Sequence, residues 1–201
     1  GSATFWDLGG GSGSISLTTL GSPYTQNFDT LANTGTANNI TINGWYLNET
    51  GTSSANNGQY NTGTGSGTGG DVYSFGATAN TERAFGTLFS GTLNPTIGAQ
   101  FTNNTGSTVT SLDVFYVGEM WRLGQNTAGR AADRLDFQLS TNATSLTTGT
   151  WTDYNSLDFP SPVVAGTAGA LNGNVSPNRT SVSFSITGVS IPDGASFWIR
   201  W

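Results

Sequence analysis

Short alternating segments separated by turn residues constrain this chain more than any other feature. Leu135, Phe137 and Leu139 follow the period of two that puts side chains on one face of a strand. Gly, Asn and Pro interrupt such segments about every eight to twelve residues, which is too short for the crossovers that parallel strands need. The pattern predicts an all-β fold, an antiparallel β-sandwich of the jelly-roll or lectin-like kind with roughly ten strands.

The alternations and turn signals place these strands along one predicted domain that covers residues 1–201. Within it, residues 1–14 are expected to form a flexible arm that carries Phe5 and Trp6, because Gly and Ser dominate residues 9–14. Residues 51–70 offer almost nothing to bury except Tyr60 and are predicted to be a loop without regular structure. The ten predicted strands are residues 15–20, 40–47, 71–76, 83–89, 97–101, 108–123, 134–139, 151–159, 181–187 and 196–201.

Composition excludes several classes of function. The chain has no Cys and no His, which removes zinc sites of the usual nitrogen and sulfur type, Ser–His triads and cysteine nucleophiles. Six basic residues stand against twelve acidic ones, and the net charge of −6 disfavours nucleic acid, whose binding depends on clustered Lys and Arg. No apolar run is long enough to cross a bilayer, so no membrane insertion is predicted.

Four charged residues stand out in a charge-poor centre: Glu82, Arg83, Glu119 and Arg122. Glu and Arg are suited to bidentate pairing, so the four are predicted to form buried ion pairs that fix strand register. As an alternative, Glu82 and Glu119 supply the two carboxylates that a glycoside hydrolase requires.

Acidic residues near strand ends suggest one type of cofactor. Asp71, Asp133 and Asp136 are the candidate metal ligands, because Asp and backbone carbonyl oxygens suit calcium. Their spacing matches no regular calcium loop, so calcium is a candidate ion and no cofactor is required.

Aromatic residues near polar turns are the candidate ligand contacts. Trp151 and Tyr154 follow a polar turn and can stack on sugar rings, while Asp153 and Asn155 can bind sugar hydroxyl groups. In the alternative, Trp151 begins a strand and packs inward. Three further candidates are Tyr60 in the predicted loop, and Trp198 and Arg200 on one face of the last strand.

Four segments together resemble a recurrent domain of secreted bacterial proteins. They are residues 74–91 (SFGATANTERAFGTLFSG), 101–106 (FTNNTG), 114–124 (VFYVGEMWRLG) and 197–201 (FWIRW). That domain is a lectin-like β-sandwich of large surface or exported proteins, some of them associated with adhesins. The resemblance implies an extracellular or cell-surface location and no particular activity. It also implies a further Asp- and Gly-rich segment and a final strand after residue 201, so an unpaired strand edge is expected there.

Three functional hypotheses follow. The first is a non-catalytic extracellular module that binds carbohydrate or cell-surface glycan. The second is a structural subunit that assembles into a filament or surface layer by self-association at an unpaired edge, with the Phe5–Trp6 arm as the donated strand. The third is the glycoside hydrolase that would use Glu82 and Glu119.

Overall fold

The computed structural model describes residues 11–125 and 129–201, and it confirms the predicted all-β sandwich. These ranges contain fifteen strands and one short 3-10 helix, Asn155–Leu157. Three of the ten predicted strands are each divided in two, and two further strands, at residues 61–63 and 169–170, lie outside the predicted ones. The strands are β1 (Ile15–Leu17), β2 (Trp45–Gly51), β3 (Asn61–Gly63), β4 (Asp71–Phe75), β5 (Ala84–Leu88), β6 (Leu93–Asn103), β7 (Val109–Glu119), β8 (Arg122–Leu123), β9 (Arg134–Leu135), β10 (Gln138–Ser140), β11 (Thr152–Asp153), β12 (Phe159–Pro160), β13 (Gly169–Ala170), β14 (Arg179–Ile191) and β15 (Ser196–Arg200).

The largest sheet is centred on β6. Strand β15 pairs with one edge of β6, and β1 and β2 divide the other edge between them. Beyond β15 the sheet continues through β10 to β11. The prediction of antiparallel pairing throughout is wrong for two ladders, because β1 runs parallel to β6 and β3 runs parallel to β4. Strand β15 lies between β6 and β10, so both of its own edges are paired.

The remaining strands form smaller ladders. Strands β7 and β14 make a two-stranded antiparallel unit, here called the ribbon, which is paired without a break from Arg179–Glu119 to Thr187–Ser111. A three-stranded sheet has the order β3–β4–β5. Two short ladders, β8 with β13 and β9 with β12, complete the described pairing.

One main hydrophobic core joins these ladders. Trp45 of β2 stacks on Trp201 with ring centroids 6.3 Å apart, and Phe101 of β6 stacks on Phe197 of β15 at 5.1 Å. Val182 and Ile186 reach the same core from β14. Each fully buried side chain of this size contributes about 1.5–3 kcal/mol relative to exposure, so the alternating pattern drives the closure of the layers.

Three local predictions need correction. Residues 51–70 are not structureless, because they contain β3 and Tyr60 forms a backbone bridge with Asn38. The predicted strand 151–159 is interrupted by the 3-10 helix. Of the predicted arm, residues 11–14 are attached to the sheet: Gly44 N donates to the Ser12 carbonyl at 2.8 Å, and the hydroxyl groups of Ser14 and Thr102 hydrogen-bond at 2.8 Å. Phe5 and Trp6 lie outside the described residues.

Candidate functional site

An open groove lies where β10 and β11 approach the end of β14. Its volume is about 300 Å³, and Leu139 and Val189 form the apolar part of its lining. One wall belongs to the turn after β10, in which the Asn142 side-chain carbonyl accepts a hydrogen bond from Thr150 N at 2.8 Å. Gly149 of this turn has a φ of 77° and lies against Ala143, so a side chain there would be strained and would clash. The turn therefore holds its wall of the groove in place.

The groove presents hydroxyl groups and one aromatic ring. The hydroxyl groups belong to Thr141, Thr150, Thr152, Ser190 and Tyr154. Within residues 11–125 and 129–201, none of these hydroxyl groups has a hydrogen-bond partner, and no charged side chain lines the groove. Such a surface offers donors and acceptors to a neutral ligand rich in hydroxyl groups, and the half-buried ring of Tyr154 offers an apolar face.

Trp151 and Tyr154 face different surfaces, and of these two candidate rings only that of Tyr154 lines the groove. Thr152 points into the groove, while Trp151 and Asp153 on either side of it point to the opposite face, as alternation in a strand requires. Trp151 packs against the cluster around Trp198, and the guanidinium carbon of Arg200 lies 4.0 Å from the centre of its ring. The inward alternative for Trp151 thus describes its packing better than an open stacking site does.

Arg200 and Asp153 belong to one polar network on that opposite face. The Arg200 Nε donates to Gln138 at 2.6 Å, and the Gln138 amide donates to Asp153 at 2.5 Å. A second Arg200 nitrogen donates to the Leu146 carbonyl. Burial lowers the pKa of Arg200, which remains a cation. The network uses the donors of Arg200 to hold Trp151 in position.

The other predicted contacts differ in accessibility. Trp198 is only 2 % exposed and Tyr60 only 3 %, so neither side chain offers a surface to a ligand in this structure, and their role as ligand contacts stays a prediction. Tyr60 instead accepts a hydrogen bond from Ala32 N through its hydroxyl group, at 3.0 Å. Asn155 is exposed and begins the 3-10 helix that follows the groove.

No known protein family, curated protein or solved structure matches this chain. The resemblance to a secreted bacterial domain therefore stays a prediction. Of the described residues, the single short helix is far too brief to span a bilayer.

The four predicted ion-pair residues do not pair with one another. Arg83 is 3 % exposed and donates to the Ser74 hydroxyl at 2.8 Å and to backbone carbonyl groups, while Arg122 donates to the carbonyls of Gly65 and Ser66. These arginines fasten loops by donating to backbone carbonyl oxygens. Most of these carbonyls are distant in sequence, so the sequence around each arginine does not identify them. Their carboxylates find other partners: Glu82 accepts a hydrogen bond from Asn174, and Glu119 lies 3.5 Å from Arg179.

The surroundings of Glu119 resemble a structural site more than a hydrolytic one. Its side chain is 9 % exposed and accepts a hydrogen bond from the Trp121 indole at 3.0 Å. Burial raises the pKa of Glu119, the hydrogen bond from Trp121 lowers it, and the charge of nearby Glu82 raises it again. The charge of Glu82 therefore reaches Glu119, whose carboxylate is already held by Arg179 and Trp121. The glycoside hydrolase hypothesis remains an untested alternative.

The three candidate metal ligands do not come together. Asp133 pairs with Arg130, and Asp136 pairs with Arg134 at 2.5 Å, both near the protein surface. Asp71 is instead 3 % exposed in β4. The part of the chain that the structure describes contains no cluster of three acidic side chains able to hold a metal.

Asp71 belongs to a buried acidic pair that sequence analysis missed. Its partner Glu49 is 7 % exposed and accepts backbone hydrogen bonds from Asn57 and Gly58, each at 3.1 Å, and from Val72 at 3.3 Å. Burial, together with the hydrogen bond and charge of Glu49, raises the pKa of Asp71 to about 7. Asn61 donates to Asp71 at 2.5 Å. Glu49 thereby fastens residues 57 and 58 to the start of β4.

A signal for part of this arrangement was present in the sequence. Glu49 lies on the same face of β2 as Trp45 and Leu47, and all three side chains are buried. A carboxylate on the apolar face of an alternating strand indicates a buried polar contact, since an unpaired buried charge is costly. The groove residues Thr141, Asn142, Thr150 and Ser190 gave no such signal, because Thr, Asn and Ser are abundant throughout the chain.

Proposed function

We propose that this protein is a non-catalytic module that binds neutral carbohydrate in the groove beside β11. The observation that carries the proposal is the set of hydroxyl groups in the groove without partners in the described chain. Sugars bind through networks of hydroxyl hydrogen bonds and through apolar ring faces, and the groove offers both. A neutral lining favours an uncharged sugar.

The shape of the groove favours an extended ligand over an enclosed one. Its lining combines Thr and Ser hydroxyl groups from the turn after β10, from β11 and from the end of β14, so different parts of the fold would touch the same ligand. The ring of Tyr154 would cover one sugar face while Thr152 binds a hydroxyl group beside it. The proposal includes the extracellular or cell-surface location that the resemblance implies, and cell-surface glycan as the ligand source.

Binding to a glycan array, followed by calorimetric titration of the best ligand, tests the proposal. The informative variants are Thr152→Val and Tyr154→Phe, which each remove one hydroxyl group and keep the shape. Neither hydroxyl group has a partner in the described chain, so we expect wild-type stability. A lost hydrogen bond of about 0.5–1.5 kcal/mol corresponds to roughly a 2- to 13-fold weaker Kd for each variant.

Thr81→Val is the matched control, because Thr81 is exposed in a distant turn and its hydroxyl group also has no partner among the described residues. We expect it to bind as the wild type does. Titrations with calcium and with a chelator separate a direct contact from an ion-dependent one. Absence of binding to every neutral glycan, or unchanged affinity in both groove variants, would refute the proposal.

A further inference from the structure

Three asparagines of this chain are followed directly by glycine: Asn43, Asn57 and Asn172. In such a sequence the glycine backbone nitrogen can attack the side-chain carbonyl carbon (Cγ) of the asparagine, because the glycine has no side chain to hinder the approach. The attack closes a succinimide ring and expels ammonia. In a folded protein, its rate depends on the groups that contact the attacking nitrogen and the side-chain carbonyl group.

At Asn57, the attacking nitrogen contacts a carboxylate. Gly58 N donates to Glu49 Oε2 at 3.1 Å. Glu49 is 7 % exposed and is held at this position by two further backbone N–H groups. A carboxylate placed there can remove the N–H proton as the nitrogen attacks, which is the role of a general base. The N–H bond lies in the peptide plane and the attack takes place from a face of that plane, so the hydrogen bond does not block the approach.

The side chain of Asn57 is also prepared for the attack. Gln59 N donates to Asn57 Oδ1 at 2.8 Å, which folds the side chain back along the chain. This oxygen becomes negatively charged when the nitrogen bonds to Cγ, and a backbone N–H that already points at it stabilises the charge. Asn57 is exposed, so ammonia can leave into solvent.

The surroundings of Asn43 oppose the same reaction. Gly44 N donates to the Ser12 carbonyl at 2.8 Å, and a backbone carbonyl is too weak a base to take the proton. The amide nitrogen of Asn43, which would be the leaving group, donates to the Ser14 carbonyl at 2.8 Å. Both groups that must move are therefore fixed by hydrogen bonds to the backbone.

Asn172 has only half of the arrangement. Its Oδ1 accepts a hydrogen bond from Asn174 N at 3.1 Å, as the Asn57 oxygen does from Gln59 N. Among residues 11–125 and 129–201, however, no carboxylate accepts a hydrogen bond from Gly173 N. Asn172 is thus the natural comparison for the effect of the carboxylate.

We propose that Asn57 is a self-modification site, at which Glu49 promotes conversion of the asparagine into aspartate and isoaspartate. Glu49 takes the N–H proton of Gly58 while the nitrogen forms a bond to Asn57 Cγ. The bond between Cγ and Nδ2 then breaks, and Glu49 returns the proton to the departing ammonia. Water afterwards opens the ring. Breaking the bond between the Gly58 nitrogen and Cγ gives aspartate, and breaking the bond between that nitrogen and the backbone carbonyl carbon gives isoaspartate.

The product alters the loop that carries it. Conversion replaces a neutral amide by a carboxylate close to Glu49, and like charges repel each other. Isoaspartate also inserts a methylene group into the backbone between the two N–H groups that Glu49 accepts. We therefore expect the modified chain to hold residues 57 and 58 less firmly against the start of β4.

Peptide mass spectrometry after timed incubation of the full chain at neutral pH measures conversion at all three asparagines. In the folded protein, Asn57 should convert at least about 10-fold faster than Asn43 and Asn172. In urea the three rates should become similar, because each asparagine is followed by glycine. Conversion of Asn43 or Asn172 at the rate of Asn57 in the folded protein, or the same preference for Asn57 in urea, would overturn the proposal.

A variant tests the role of the carboxylate. Folded Glu49→Gln should slow conversion of Asn57 at least about 10-fold, because the amide cannot act as a base. Glu82→Gln is the matched control, since Glu82 accepts a hydrogen bond from Asn174, and it should leave the Asn57 rate unchanged. An equal or faster rate in Glu49→Gln contradicts the assignment. If Glu49→Gln does not fold, the comparison of folded and urea-unfolded wild type decides alone.

Discussion

Replacing Asp71 by Asn should remove most of the pH dependence of stability between acidic and neutral pH. Asp71 and Glu49 are buried together, and the pKa of Asp71 rises from an ordinary value of 3.8 to about 7. The folded protein therefore keeps a proton on Asp71 at pH values where the unfolded chain has released it. Folding stability falls as pH increases through this window, because the folded state binds more protons than the unfolded state.

The size of the effect follows from the shift. A difference of about three pH units corresponds to roughly 4 kcal/mol, of which about 3 kcal/mol is expected between about pH 5 and pH 8. For a chain of this length, 1 kcal/mol changes the Tm by about 2–4 °C, so the wild type should lose roughly 6–12 °C across that interval. The Asp71→Asn variant keeps a donor for Glu49 and an acceptor for Asn61 and has no charge at this position, so its Tm should change little.

Urea and thermal unfolding, followed by tryptophan fluorescence at several pH values, measure both slopes. The control is Asp136→Asn, because the Asp136 side chain is 56 % exposed and paired only with Arg134. It should keep the wild-type slope. Equal slopes in wild type and Asp71→Asn, or a wild-type stability that increases with pH over this range, would refute the argument that the buried pair retains a proton.

Two further predictions concern stability. In urea unfolding, Gly65→Ala should cost more than about 3 kcal/mol, because Gly65 has a φ of 81° and a Cβ there would lie 1.7 Å from the Trp121 carbonyl oxygen. The control Gly106→Ala should cost only about 1–2 kcal/mol, because Gly106 has a similar φ of 75° but a Cβ there would have nothing within 4 Å. Arg200→Met should cost at least about 1–2 kcal/mol by the same assay, since it removes the cation above Trp151 together with the hydrogen bonds to Gln138 and to the Leu146 carbonyl. A cost within error would show that this network does not stabilise the fold.

The sequence pattern predicted the strands that depend on local alternation. Strands β4, β5 and β15 lie within one residue of their predicted bounds at each end, because apolar and turn residues alternate clearly there. The prediction failed where contacts distant in sequence decide the backbone. Residues 51–70 looked like an unstructured loop, yet Glu49 holds two of their backbone amides and Asn38 pairs with Tyr60.

The candidate site was predicted in part. The region around Tyr154 was identified from its aromatic residues, and Tyr154 does line the groove. Trp151, the other candidate ring, faces away from the groove, because it neighbours Thr152 and adjacent residues of an extended segment point to opposite faces. The ion pairs among Glu82, Arg83, Glu119 and Arg122 were wrong, since charge type indicates that a partner is needed and does not identify which one.

Composition and periodicity were sufficient for the all-β class, for the excluded chemistries and for most strand positions, because each depends on residue types or on neighbours along the chain. Strand order, the parallel β1–β6 ladder, the buried Asp71–Glu49 pair and the two-stranded ribbon depend on which distant segments compete best for the same apolar surface. That competition compares whole packed arrangements, so only the folded chain decides it.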